Sequence, residues 1–305
     1  MANLSQDGNR TTAEQVICST GLYGMHLKVF ISALNIPLSV TACLGNFLII
    51  VAIKKVQSLR PPSKLLFSCL AATDLCVGVF TQPLFATFLL SPENSKLCFD
   101  LLVLVVTIGA IFCGVSLLTL TAISVERLLV LTLGTRYRQV VTLRRVRILA
   151  AAFWLLCFLI ALILPHSPQI AGGMATMVVI LCLVISTFSY SKIYLILTHY
   201  CQDQIQPGQT NGGGTPLINL ARYKKIVSSA LWLQMTLLAC YLPYSILGAL
   251  DYVAKFDTSS LAFPTDVALT FLLFNSTINP FLYCWKMREV RQSFRDNIRR
   301  LCCFS

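Results

Sequence analysis

Asn275-Ser276-Thr277-Ile278-Asn279-Pro280-Phe281-Leu282-Tyr283 sets polar residues and a proline inside an apolar run. Hydrocarbon penalises Asn, and a proline in a helix interior removes a hydrogen bond and kinks the helix, at a cost of about 3 kcal/mol. A membrane helix carrying two Asn and a Pro within six residues must turn that face into a bundle and not into lipid. The stretch therefore predicts a polytopic helical membrane protein in which this segment is an inward-facing helix.

The rest of the chain agrees. Hydrophobic residues make up 56% and charged residues 12%, against roughly 25% charged in an ordinary soluble domain; mean hydropathy is +0.75. Spanning the hydrocarbon takes about 20 apolar residues per helix, and seven such runs stand at about 28–53, 65–90, 98–131, 146–165, 171–199, 224–254 and 262–285. The expected fold is an all-α seven-transmembrane helix bundle. Residues 1–27 form an outer tail, 28–285 the membrane domain and 286–305 a cytoplasmic amphipathic helix and tail.

The net charge of +12 is not a nucleic-acid signal, because it is concentrated between particular spans. Lys54, Lys55, Arg60 and Lys64 follow the first run, Arg136, Arg138, Arg144, Arg145 and Arg147 the third, and Lys286, Arg288, Arg291, Arg295, Arg299 and Arg300 the seventh. Short loops rich in Lys and Arg stay cytoplasmic. The amino terminus is thus expected outside and the carboxyl terminus inside, in the plasma membrane. No signal peptide is visible in residues 1–25, so the first span serves as an uncleaved anchor. Asn3 and Asn9 lie in glycosylation triplets on the outer side.

Of 13 cysteines, most fall within spans and read as small hydrophobes. Cys18 and Cys98 lie near the outer surface, where oxidation is permitted, and are a candidate disulfide. The segment from Cys201 to Leu220, rich in Gly and Gln, reads as a flexible cytoplasmic linker. After Tyr283, apolar residues at Met287, Val290, Phe294, Ile298 and Leu301 alternate with basic ones, the pattern of a short eighth helix lying on the membrane surface. Cys302 and Cys303 at its end are candidates for palmitoylation, against a plain basic tail.

Asp74 is a carboxylate deep in the second span. A charge there costs at least about 2.5–3.5 kcal/mol, so it needs partners, and Ser116, Asn275 and Asn279 are the candidates. Such a group suits equally a small hard cation, an ordered water cluster or an ion-free structural knot. Glu126-Arg127 ends the third span, where the Glu can hold the Arg by ion pairing and Arg127 can also simply snorkel to the headgroups. Tyr190, Tyr283 and Arg127 all lie near inner ends of spans, so tyrosine hydroxyls can exchange contacts there when helices move. Tyr241-Leu242-Pro243 puts a kink in the sixth span, a swing point or merely a tolerated proline.

Taken together, Gly45-Asn46, Leu70 to Asp74, Glu126-Arg127, Trp154, Tyr190, Cys240 to Pro243 and Asn279-Pro280-Phe281-Leu282-Tyr283 resemble the rhodopsin-like (class A) G-protein-coupled receptors over essentially the whole chain. The pattern is similar to the cluster that holds melanocortin, adenosine and lipid receptors. The resemblance implies an agonist-biased equilibrium between two bundle arrangements and an inner cavity for a heterotrimeric G protein. Glu126, Arg127, Tyr190, Tyr241, Pro243, Asn279, Pro280 and Tyr283 would form its switch. It also implies that Asp74, Ser116, Asn275 and Asn279 make a sodium pocket.

The departures bear on the ligand. Leu128 replaces a usual Tyr, Tyr241 a usual Trp, and Leu237 a usual aromatic. Gly109 stands where amine receptors carry an Asp, Leu273 where opsins carry the retinal Lys, and Gly248 where adenosine receptors carry their adenine-binding Asn. These residues with Cys113 and Tyr241 outline an apolar cleft, with His166 and Asp251 near its mouth. An apolar or nucleoside-like small molecule or a peptide is the expected ligand. Two further readings are a seven-helix scaffold that does not couple and a membrane transporter, the latter opposed by the lack of an inverted repeat. No catalytic set is present in the sequence: three scattered His (His26, His166, His199) and no metal-ligand spacing.

Overall fold

The computed structural model describes residues 24–205 except 58, 93 and 94, then 232, 234–250, 258–286 and 291. The described residues form seven long helices: α1 Met25–Lys55, α2 Pro61–Leu89, α3 Lys96–Leu133, α4 Leu143–Ile163, α5 Pro168–Ile205, α6 Gln234–Leu250 and α7 Thr258–Lys286. Five of them are long and apolar enough to cross a membrane by themselves. Helix is the form a spanning segment takes, because hydrocarbon offers nothing else to bond a backbone N–H or C=O. The helices outrun the apolar stretches at several ends. Residues 201–205, expected as linker, continue α5. The eighth-helix segment lies outside the described residues apart from Arg291.

Beside an apolar core, burial departs from that of a soluble domain. Asn35, Asn46, Asp74, Gln82, Ser116 and Asn279 are buried, while Phe30, Leu44, Ile148, Leu155, Met177 and Phe188 are exposed. Lipid solvates the apolar side chains as well as a core would, so polar groups and close packing decide which faces meet. α3 is central, packed on α2, α4 and α5, and α1 bridges α2 and α7.

Three glycine contacts set the closest approaches. A Cβ on Gly45 would lie 2.8 Å from Pro280 Cγ, on Gly78 2.9 Å from Ala42 Cβ, and on Gly114 2.8 Å from Cys157 Sγ. Only a residue without a side chain lets α1 meet α7, α2 meet α1, and α3 meet α4 this tightly. α2 is interrupted by a π-helical turn, Val77–Thr81, which ends two residues before Pro83. The proline ring collides with the carbonyl four residues back, and the wider turn relieves that collision. Ser95 caps α3 by accepting from Cys98 N at 3.1 Å. At the other end Gly134, with φ +49°, turns the chain into the short helix Tyr137–Val140.

Candidate functional site

The centre of the bundle is built on Asp74, which is fully buried. Its Oδ1 accepts hydrogen bonds from Ser116 Oγ on α3 at 2.9 Å and from Ser276 Oγ on α7 at 2.8 Å. Oδ2 accepts from Asn279 Nδ2 at 2.6 Å. Three neutral donors from two other helices thus compensate the carboxylate, which ties α2, α3 and α7 together.

Ser276 takes the place expected for Asn275. Successive helix residues differ by about 100°, so only one of the pair can face α2. The rotation of α7 is decided by its contact with α1: Pro280 lies against Gly45, Asn46 Nδ2 donates to Ser276 O at 2.9 Å, and Thr277 Oγ1 donates to Leu38 O at 3.1 Å. Asn275 then turns toward α3, α5 and α6. There it lines a small cavity with Leu120, Tyr190, Thr236, Leu237, Asn279 and Leu282, its Nδ2 buried without a partner. Asn279 and Tyr190 therefore border the same void, which runs from beside the Asp74 centre to Tyr190 on α5.

Glu126 and Arg127 diverge. The buried Glu126 carboxylate accepts from Ser63 Oγ on α2 and from Tyr137 Oη at 2.7 Å. Arg127 is exposed and lies over the Phe67 ring, 5.4 Å from its centroid. The expected ion pair between these two neighbours is replaced by neutral donors on the Glu and an aromatic face under the Arg, because adjacent helical side chains point in different directions. Arg60 covers the other partner, 4.9 Å over the Tyr137 ring. Ser63 and Tyr137 escaped the sequence reading; a hydroxyl in the first turn of α2 and a tyrosine in a basic loop carry no local mark. Leu128 packs with Tyr190, Ile193 and Leu197, an apolar seam between α3 and α5.

Tyr241 is buried and donates to the Cys113 carbonyl at 3.3 Å, tying α6 to α3 one turn above Ser116. Pro243 follows it within α6. The side chain of Tyr283 falls outside the described residues, although its backbone belongs to α7.

The family described as 7 transmembrane receptor (rhodopsin family) matches residues 45–171. Two curated relatives extend that match along the chain. Adenosine receptor A2b of Gallus gallus is 25% identical over 319 residues, covering 91% of this chain and 90% of its own length. Adenosine receptor A3 of Ovis aries is 25% identical over 285 residues, with 85% and 86% covered. This chain is similar to the rhodopsin-like receptors. It is a multi-pass membrane protein, and both relatives are named as receptors, not enzymes.

The expected cleft residues fall in different settings. Gly109 faces Thr81 across α3 and α2, and an added Cβ would make ordinary contact with Thr81 Cγ2, at 3.5 Å. A Cβ on Gly248 would meet Thr176 Oγ1 at 3.1 Å, at the α5–α6 contact. Leu273 and Cys113 are buried in the main apolar core with Tyr241. His166 is exposed beyond α4. Cys98 is disulfide-bonded. Asp251, Cys18, Asn3, Asn9, Cys302 and Cys303 lie outside the described residues.

Proposed function

We propose that this receptor transmits the binding of a small, weakly charged extracellular ligand to a heterotrimeric G protein. The observation that carries the reading is the Asp74 centre. One carboxylate holds α3 and α7 through Ser116, Ser276 and Asn279, and Asn279 also borders the void that reaches Tyr190. A ligand that moves α3 or α7 at one end must rearrange those bonds, and the change is felt at Tyr190 and Arg127 at the other. In the resting arrangement Glu126 is held by Ser63 and Tyr137. Release of Arg127 from Phe67 toward Tyr190 and Tyr283 is the proposed switching step, with Pro243 and Pro280 as the points where α6 and α7 flex. The names of the relatives favour a nucleoside-like ligand, although Gly248 lacks the amide that adenosine receptors use.

By the chemistry of its donors the Asp74 centre fits a sodium ion. Asp74, Ser116 and Ser276 offer hard oxygens from three helices, with Asn279 beside them; Asn275 stands apart. A bound cation would neutralise the carboxylate inside the membrane. The amino terminus, residues 1–27 with glycans on Asn3 and Asn9 and a Cys18–Cys98 bridge, is assigned to the outside. Residues 286–305, with acylated Cys302 and Cys303, are assigned to the inner surface, and residues 28–285 are the receptor domain.

The test compares basal cyclic AMP and calcium in cells expressing this chain and Arg127→Ala at matched surface levels. A difference establishes coupling and names the G-protein class without a ligand. Identical traces, persisting with a chimeric G protein of broad specificity, overturn the reading in favour of a non-coupling scaffold.

A further inference from the structure

We propose that the junction of α1, α2 and α7, in the half of the bundle away from Arg127, is a binding subsite for an uncharged ligand edge carrying an adjacent hydrogen-bond donor and acceptor, with Gln82 as its principal contact. The inference rests on the receptor reading and names the chemistry its ligand presents.

Gln82 is fully buried, and neither Nε2 nor Oε1 has a partner. Thr81 Oγ1 next to it and Asn35 Oδ1 on α1 are buried and unpartnered too. Together these are four of the nine such atoms among the described residues, so unsatisfied polarity is concentrated here and not spread through the fold. Two bonds place the groups together. Ser32 Oγ donates to Ala86 O at 3.0 Å and Ser39 Oγ to Gly78 O at 2.7 Å. This antiparallel register brings Asn35, one turn from each serine, level with Gln82, one turn from Gly78 and Ala86. Asn35 is itself oriented, because its Nδ2 donates to Ile31 O at 2.9 Å and to Thr270 Oγ1 on α7 at 3.3 Å. Its oxygen is the free end.

The backbone is irregular at the same point. The π turn Val77–Thr81 runs directly into Gln82, and such turns recur at functional sites. On the α3 side Gly109 packs beside Thr81, where an added Cβ would lie in ordinary contact, 3.5 Å from Thr81 Cγ2. Asn35, Thr81, Gln82, Gly109 and Thr270 include no ionisable group, so a charged ligand would go uncompensated here. A carboxamide with both atoms free instead pairs bidentately with an adjacent donor and acceptor, as Gln does with the edge of adenine. A polar group held buried without a partner weakens the ligand-free fold; binding sites commonly carry that penalty, and removing it raises stability at the expense of function.

The full-length receptor, purified without ligand, decides the matter by thermal unfolding. Gln82→Leu is expected to raise Tm by roughly 2–5 °C, since an apolar residue replaces an unsatisfied amide. Gln82→Met, close in length and flexible enough to fill irregular gaps, is expected to act the same way. Saturation-transfer NMR with adenine and with nicotinamide, both neutral and both presenting such an edge, should give a saturable contact with at least one probe. That contact should be lost in Gln82→Leu. A Tm that falls or stays unchanged in both variants, or failure of both to fold, means that the amide is already satisfied within the fold, and overturns the proposal. So does the absence of any saturable, Gln82-dependent contact. Because both readouts use the purified chain without G protein, a receptor that binds but does not couple is told apart from one whose subsite is misassigned.

Discussion

Gly45→Ala tests the contact that orients α7 and hence the Asp74 centre. The added methyl would sit 2.8 Å from Pro280 Cγ and 2.9 Å from Pro280 Cβ, both atoms of a rigid ring. Ordinary van der Waals contact begins at 3.4 Å, so α1 and α7 must part by about 0.6 Å. Overpacking of this kind costs about 1–3 kcal/mol. The same shift would stretch the bond from Asn46 Nδ2 to Ser276 O from 2.9 Å to about 3.5 Å, the end of useful hydrogen-bond range, forfeiting about 0.5–1.5 kcal/mol. The two effects sum to roughly 2–4 kcal/mol, or a fall in Tm on the order of 3–6 °C for a chain of this size. The assay is thermal unfolding of the purified receptor, with Gly172→Ala as the control. Gly172 has no atom within 4 Å of its ideal Cβ, and alanine is the better helix former by about 1 kcal/mol, so the control should hold or rise. A Gly45→Ala Tm within about 1 °C of the parent would refute the argument that this contact fixes the rotation of α7.

Three further outcomes are expected. Ser276→Ala should destabilise the purified receptor by about 1.5–3 kcal/mol, since it removes a donor to a buried carboxylate, whereas Asn275→Ala should cost less; equal losses by thermal unfolding would contradict the observed facing of α7. Tyr137→Phe keeps the ring under Arg60 and deletes the bond to Glu126, and should raise basal second-messenger output by up to about tenfold; unchanged output at matched surface level would remove Tyr137 from the switch. Cys18→Ser should expose Cys98 to a membrane-impermeant thiol reagent applied to intact cells, and labelling no greater than in the parent would show that Cys98 pairs elsewhere.

The bundle was legible because its cause is one-dimensional. Seven apolar runs, and intramembrane polar residues such as Asp74 and Asn279, state their need for a helical interior before any contact is known. That Asp74 would draw on Ser116 and Asn279 could be read in the same way, since few polar groups lie at that depth. The choice of Ser276 over Asn275 could not. Both are one turn from Asn279, and the decision rests on how Pro280 meets Gly45, a contact across 235 residues. The partners of Glu126 were hidden for a related reason: Ser63 and Tyr137 come from another helix and from a loop helix turned inward at Gly134.

The sequence by itself determined the membrane, the helical spans, the inward carboxylate and the family resemblance, because hydrophobicity, charge and motif spacing are properties of the chain read in order. Only the tertiary structure decided which polar atoms pair and which, like those of Gln82, stay unpaired. That outcome depends on the relative rotation and register of whole helices, which interhelical contacts between small residues and prolines select and no local stretch encodes.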